Sequence, residues 1–190
     1  MIGDIETCGL MWLRYTKGCD IIATEASLLG GTFRADIIGC NFNGGYTWEI
    51  EVKRSRNDFL QDFVNKAKKH QMYLEGRNGT PNYFYFLGGR RLAKEMKVYM
   101  EHNDMPYGVL SVDLESLDND GIFHTRVTSI RRVKRLHPNE TTESTRLTAI
   151  RKMADGYCYG QMFDQHIRSG FNIMSQIEEC GRDGLYKKDD

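Results

Sequence analysis

Trp48-Glu49-Ile50-Glu51-Val52-Lys53, with Arg34-Ala35-Asp36 before it and Arg54-Ser55-Arg56-Asn57-Asp58-Phe59 after it, is the stretch on which the fold turns. Read as a strand, its side chains alternate, so Glu49, Glu51 and Lys53 share one face while Ile50 and Val52 occupy the other. An apolar face is readily buried. Two carboxylates and an ammonium beside a core are unfavourable unless the charges are paired, hydrated or bound to a cation.

Working outward, the Ile-rich segments Cys19 to Ala26 and Arg34 to Cys40 predict two strands separated by Gly30-Gly31. Asn41-Phe42-Asn43-Gly44-Gly45 predicts a hairpin loop, since Asn and Gly tolerate positive φ. Tyr46 to Lys53 is then a third strand. Ile5, Cys8, Trp12 and Tyr15 recur at helical spacing ahead of Gly18, which predicts a short helix at the start. Ser55 is placed as an N-cap with Asp58 three residues on, and Phe59, Phe63 and Ala67 follow at four-residue spacing. One helix is therefore expected from Ser55 to near Leu74.

Asn82-Tyr83-Phe84-Tyr85-Phe86-Leu87 reads as a buried strand rather than a base-stacking platform. A helix is expected over Arg90 to Met100, strands over Tyr107 to Asp113 and Ile122 to Ile130, and a turn at Asp118-Asn119-Asp120-Gly121. Thr141-Thr142-Glu143-Ser144 opens a C-terminal helix around Leu147, Ile150 and Met153. These elements predict an α/β (α+β) protein with an αβββαβ core, a mixed sheet flanked by helices, and a C-terminal helical extension. The core domain is expected over residues 1–136 and the extension, part of the same domain, over 137–190.

Composition agrees with a globular protein and narrows the function. With 190 residues, 40% hydrophobic and 27% charged, the chain can bury one substantial core. No segment has the apolar length of a membrane span, and the first residues lack a basic stretch followed by an apolar one, so a cytoplasmic protein with no membrane partner is expected. The five cysteines are scattered without a C-x-x-C pair, and the five histidines show no H-E-x-x-H, which argues against zinc or disulfide chemistry. The 26 basic and 26 acidic residues cancel, so a nucleic-acid partner would have to be met by local patches. Lys53 to His70 and Arg126 to His137 are two stretches rich in basic residues.

The bare E-x-K triplet carries little weight, because about one is expected by chance in a chain of this length, and Glu95-Met96-Lys97 is a second copy. That copy lies in a helical pattern with no Asp-bearing strand before it. Around Asp36, Glu51 and Lys53 the context is different. A carboxylate pair, Asp36 and Glu51, suits Mg²⁺ or Mn²⁺, which takes hard oxygen ligands and leaves positions for water and phosphate. Lys53 on the same face suits the orientation of an attacking water and the charge that develops on a phosphate.

The run Arg34-Ala35-Asp36, hairpin, Glu49-Ile50-Glu51-Val52-Lys53-Arg54-Ser55-Arg56-Asn57-Asp58-Phe59 resembles the PD-(D/E)xK nuclease superfamily, most of all its MmcB-like branch of DNA-repair nucleases. The likeness extends through Pro81 to Phe86 and Met105 to Leu110, covering roughly residues 20 to 136, with Ala35 in place of the Pro of the superfamily's name. It implies a restriction-endonuclease-like fold and a Mg²⁺-dependent nuclease, with Asp36, Glu51 and Lys53 catalytic and Asp36 and Glu51 on the metal. DNA would be the partner, in DNA repair or in phage or host DNA processing, and a homodimer is compatible with it. The likeness adds Glu25 as a third metal ligand, against the simpler expectation of an exposed strand-end glutamate. Glu49 is expected to pair with Arg34 or Lys53. Arg34, Arg54, Ser55, Arg56, Lys66 and Lys69 are the expected contacts to the phosphate backbone, with Ser55 also capping its helix. The alternative is a catalytically weak module of nuclease fold that binds nucleic acid or another protein.

Overall fold

The computed structural model describes residues 4–28, 33–41, 45–117, 123–138, 140 and 142–154. The chain divides into two compact units, Met1–Met153 and Ala154–Asp190, and all but the last of the described residues lie in the first. The expected turn at Asp118 to Gly121, together with Cys158, His166 and Cys180, lies outside the described residues.

Within the first unit the elements run α1 (Asp4–Met11), a π-helical turn (Trp12–Thr16), β1 (Ile21–Leu28), β2 (Phe33–Asn41), β3 (Tyr46–Val52), α2 (Arg56–Asn65), α3 (Ala67–Leu74), β4 (Tyr83–Gly89), α4 (Arg90–His102), β5 (Gly108–Leu117) and β6 (Phe123–Arg131), followed by a helix over 143–154. The six strands form one mixed sheet in sequence order. β1, β2 and β3 are antiparallel, β3, β4 and β5 are parallel, and β6 returns antiparallel on β5. This is the mixed α+β architecture the sequence predicts, with the α-β-β-β-α-β order in place.

Strand alternation sorts the core into two layers. Ile50 and Val52 of β3 with Tyr85 and Leu87 of β4 pack against Cys8, Trp12 and Leu13 of the N-terminal helical segment. On the opposite face, Phe84 and Phe86 pack with Phe59, Tyr73, Met96 and Tyr107. The aromatic run is thus core, not a platform for bases. Each such fully buried side chain contributes roughly 1.5–3 kcal/mol of hydrophobic stabilisation. Gly9 lets α1 lie close on the sheet, since a Cβ there would meet Ile37 Cδ1 at 2.5 Å. Gly45, just before β3, has a φ of 64°, which glycine adopts without a Cβ penalty.

One expectation needs correction. The helix from Ser55 to Leu74 is two helices, because Lys66 leaves helical geometry at φ −114° and ψ 25°. Neither Pro nor Gly marks the joint. The break coincides with the Lys66 ammonium drawn onto Glu51 and Asp62, a long-range pairing that local helix propensity does not register. The helix over 143–154, at the start of the expected extension, packs on the core through Ala149, which meets Ile21, Ala23, Ala26, Ala35, Ile38 and Cys40.

Candidate functional site

The site begins where two strands part. β2 and β3 pair as far as Ile37 opposite Ile50. The next step would place Asp36 opposite Glu51, and there the side chain replaces the ladder: Asp36 Oδ2 accepts the Val52 backbone N–H at 2.8 Å. This bond fixes the Asp36 carboxylate at the mouth of the fork, beside the end of β3. On the other edge, Lys53 N–H donates to Leu87 O at 2.8 Å and continues the parallel pairing with β4. Ser55 then caps α2, accepting from Asp58 N–H at 3.1 Å, while Asp58 Oδ2 accepts from Arg54 N–H at 3.1 Å. The pair is a variant of the capping box, with Asp58 bonded to the N–H one residue before the cap, and it sets the direction in which the chain leaves Lys53.

Behind Asp36 lies a buried ionic network. Glu51 and Lys53 are 1% and 3% exposed. Lys53 Nζ reaches Asp62 Oδ1 at 2.6 Å and Glu51 Oε1 at 3.2 Å. Lys66 also donates to Glu51 Oε1 and lies 3.2 Å from Asp62 Oδ1. Lys69 sits 2.9 Å from Glu51 Oε2 and 2.6 Å from Glu49 Oε1, and the Tyr73 hydroxyl donates to Glu49 Oε2 at 2.5 Å. A further branch runs from Asp62 Oδ2 to His70 Nε2 at 2.8 Å and from His70 Nδ1 to the Tyr107 hydroxyl at 3.1 Å.

The electrostatics follow from this crowding. Burial, aided by the negative charge of Glu51, raises the Asp36 carboxyl above its ordinary value. Burial also raises Glu49. For Glu51, burial is outweighed by the ammoniums of Lys69, Lys53 and Lys66, so its pKa is lowered. Asp62 is held far below the usual carboxylate range, because hydrogen bonds from His70 and Lys53 overcome its burial. Burial works against the ammoniums of Lys66 and Lys69, yet the facing carboxylates win and both lie above the ordinary lysine value.

Asp36, Glu51, Lys53, Asp62 and Lys66 line one polar cleft of about 360 Å³, with Glu6, Arg54 and Asp58 at its rim. The three residues singled out from the sequence therefore meet in one place. Other expectations do not survive. Lys69 is completely buried and neutralises Glu49 and Glu51, so it cannot touch a phosphate backbone. Glu49 pairs with Lys69 and Tyr73, not with Arg34 or Lys53. Glu25 is exposed and paired with Arg34, and among the described residues no three His, Cys, Asp or Glu side chains gather as a metal-binding group. Glu25 is thus not brought to Asp36 and Glu51, and Arg34 is engaged by it. Arg54 and Arg56 are largely exposed beside the cleft.

The basic stretch after Arg126 is structural in large part. Arg131 donates to the carbonyls of Met105 and Tyr107, and Arg135 to those of His137 and Pro138. Sequence reasoning missed Asp62, His70, Tyr73 and Tyr107. For the first three a signal existed: Asp62, Lys66, the pair Lys69-His70 and Tyr73 follow one another at three- or four-residue steps, one polar stripe on helices whose other buried residue is Phe59.

No protein-family model and no curated protein matches the sequence. Among solved structures, the fold is similar to that of the SPO1766 protein of unknown function from Silicibacter pomeroyi, with a TM-score of 0.52 and 17% identity over 83% of this chain and 86% of that one. This likeness concerns the fold alone. Among the described residues no helix is long and apolar enough to cross a membrane.

Proposed function

We propose that the chain is a metal-dependent nuclease of the PD-(D/E)xK kind acting on DNA, with Asp36 and Glu51 as metal ligands and Lys53 as the assisting cation. One observation carries this reading. The Asp36 side chain takes the Val52 N–H where β2 and β3 separate, which brings its carboxylate beside Glu51 and Lys53 in a polar cleft.

The donor set fits a hard divalent cation. Asp36 Oδ1 has no hydrogen-bond partner among the described residues, and Glu51 raises the Asp36 pKa through like-charge repulsion that a cation would relieve. Two carboxylates with water completing the shell is an ordinary arrangement for Mg²⁺. With all groups ionised, Asp36, Glu49, Glu51, Asp58 and Asp62 face Lys53, Lys66, Lys69 and His70, an excess of one negative charge. A divalent ion makes that excess positive, the sign a phosphodiester requires. Bound there, Mg²⁺ or Mn²⁺ supplies Lewis-acid polarisation of the phosphate and acidifies a water. The chain's own groups do the positioning. Asp62 holds the Lys53 ammonium at the cleft, from which it offsets charge developing on the phosphate and orients the attacking water. Lys66, partly open to solvent, is the other ammonium within reach of the substrate.

A second reading, a nucleic-acid or protein-binding module without turnover, is favoured by a different observation: both Glu51 oxygens are already engaged by lysines. Thermal denaturation with added Mn²⁺ and a panel of DNA substrates separates the two. The nuclease reading expects stabilisation by metal, roughly 2.7 kcal/mol at a hundredfold excess over Kd. It expects that stabilisation and cleavage to vanish together in Asp36→Asn. In Lys53→Ala metal stabilisation should persist while cleavage falls about 10²–10⁴-fold. Cleavage surviving in Asp36→Asn sinks the nuclease assignment, and DNA binding without any metal effect establishes the module.

A further inference from the structure

The polar cleft does not end at Lys53. A second trough of about 800 Å³ starts from the same Lys53 and Arg54 and runs past the C-terminal ends of β3 and β4 to the start of α4. Five basic side chains line it, those of Lys53, Arg54, Arg56, Arg90 and Arg91, against one acid, Glu95. In a chain whose 26 basic and 26 acidic residues cancel, this is strong local segregation of charge. The stretch Arg90-Arg91 belongs to neither basic segment visible in the sequence. Only the topology brings it to Arg54 and Arg56, because β3 and β4 are parallel neighbours and the chain leaves both at the same edge.

These arginines are not consumed by the fold. Their side chains are 56% (Arg54), 70% (Arg56), 74% (Arg90) and 96% (Arg91) exposed. Their acidic partners are long and loose: Glu6 lies 3.4 Å from Arg54, Glu95 3.8 Å from Arg56 and 3.6 Å from Arg91, and Asp113 3.8 Å from Arg90. Exposed pairs of this kind contribute little to stability. Clustered guanidiniums with free donors are matched to phosphate oxygens, which they can bind in bidentate fashion. The contrast with Arg131 and Arg135, whose donors are spent on backbone carbonyls, separates a surface kept open from one used in folding.

We propose that this trough is a binding track for a polynucleotide backbone, with successive phosphates on Arg91, Arg90, Arg56 and Arg54 and the strand led from there to Lys53. The destination rests on the nuclease reading; the track itself binds without metal and without cleavage. It assigns Arg90 and Arg91, far from the carboxylates in sequence, as backbone contacts.

The test is fluorescence anisotropy of the full chain in EDTA with short labelled oligonucleotides, single-stranded DNA, duplex DNA and RNA of one sequence, over about 50 to 200 mM salt. Arg90→Gln/Arg91→Gln is compared with Arg132→Gln/Lys134→Gln, which removes the same charge from exposed positions outside the trough. The track predicts that the first pair weakens binding tenfold or more and flattens the slope of log K against log salt by about 0.7–0.9 per lost contact, while the second changes affinity less than threefold. Equal losses in both pairs, no loss in the first, or no binding by the unaltered chain overturns it. The three probes rank the polymers: duplex and single-stranded DNA share the backbone with RNA, and preference for one names the source. Metal stabilisation is read separately, so a failed track leaves the carboxylate site standing, and a failed carboxylate site leaves the track.

Discussion

The chain contains the same three-residue pattern twice, and the two copies behave in opposite ways. In Glu51-Val52-Lys53, where β3 ends, the charged ends are buried and share one face, with side chains 2% and 4% exposed, while Val52 packs into the other layer. In Glu95-Met96-Lys97, on α4, the middle residue is buried and the charged ends are exposed at 40% and 41%. The periods of strand and helix account for the reversal: residues i and i+2 align on a strand and diverge on a helix. The partners differ accordingly. Glu51 is caught among three lysines, whereas Glu95 faces Arg91 and Lys97 faces Glu101 across single helical turns. Identical residues thus make a buried ionic cluster in one place and a solvated face in the other.

The largest break in this comparison comes from Glu51→Gln. The amide keeps the shape and removes the charge, leaving Lys53, Lys66 and Lys69 without their common carboxylate. Urea denaturation should show a loss of about 3–5 kcal/mol, the usual cost of breaking a buried ion pair from one side. A loss under about 1 kcal/mol, the range of exposed pairs, would mean that the network is not held together by charge.

A smaller effect, and one of definite sign, is expected from pH. The folded-state pKa of Asp62 is lowered, so its stabilisation is complete above the ordinary value of about 3.9 and is lost as pH falls through the lowered value. Glu51 acts in the same direction. Asp36 and Glu49 are raised and oppose them, since protonating those two relieves an unfavourable charge. Lys69 is raised, so its contribution is complete below about 10.4 and is lost as pH rises through the folded value. Asp62→Asn should therefore lower stability at neutral pH and flatten its fall below about pH 4. An acid limb as steep as in the unaltered chain would place the acid sensitivity elsewhere.

The strands and the triad were legible because alternation, hairpin glycines and caps are local signals. β1, β2, β3 and β4 start or end within a few residues of their expected limits, and the Ser55 N-cap is where the pattern placed it. What was not legible depended on distance. The break at Lys66 coincides with its ion pair to Glu51, fifteen residues away. Lys69 looked like one more surface lysine, because nothing in its neighbours announces that Glu49 and Glu51 lie beneath it. Arg90 and Arg91 join Arg54 and Arg56 only through the parallel pairing of β3 and β4. Charge segregation made by topology has no sequence period to reveal it.

Glu95→Gln is the mildest change and sharpens the contrast most. Its carboxylate is exposed and its pairs with Arg56 and Arg91 are loose, so stability should move by no more than about 0.5 kcal/mol, an order of magnitude less than the same substitution at Glu51. Yet Glu95 is the one acid lining the arginine trough. Removing it frees two guanidiniums and deletes a charge that repels phosphate, so oligonucleotide affinity in EDTA should rise two- to fivefold at low salt, with the gain shrinking as salt screens the field. The two measurements point in different directions only if the exposed copy of the motif borders a binding surface. Were stability and affinity both unchanged, Glu95 would be a helix-surface residue and nothing more, and the boundary of the track would have to be drawn short of α4.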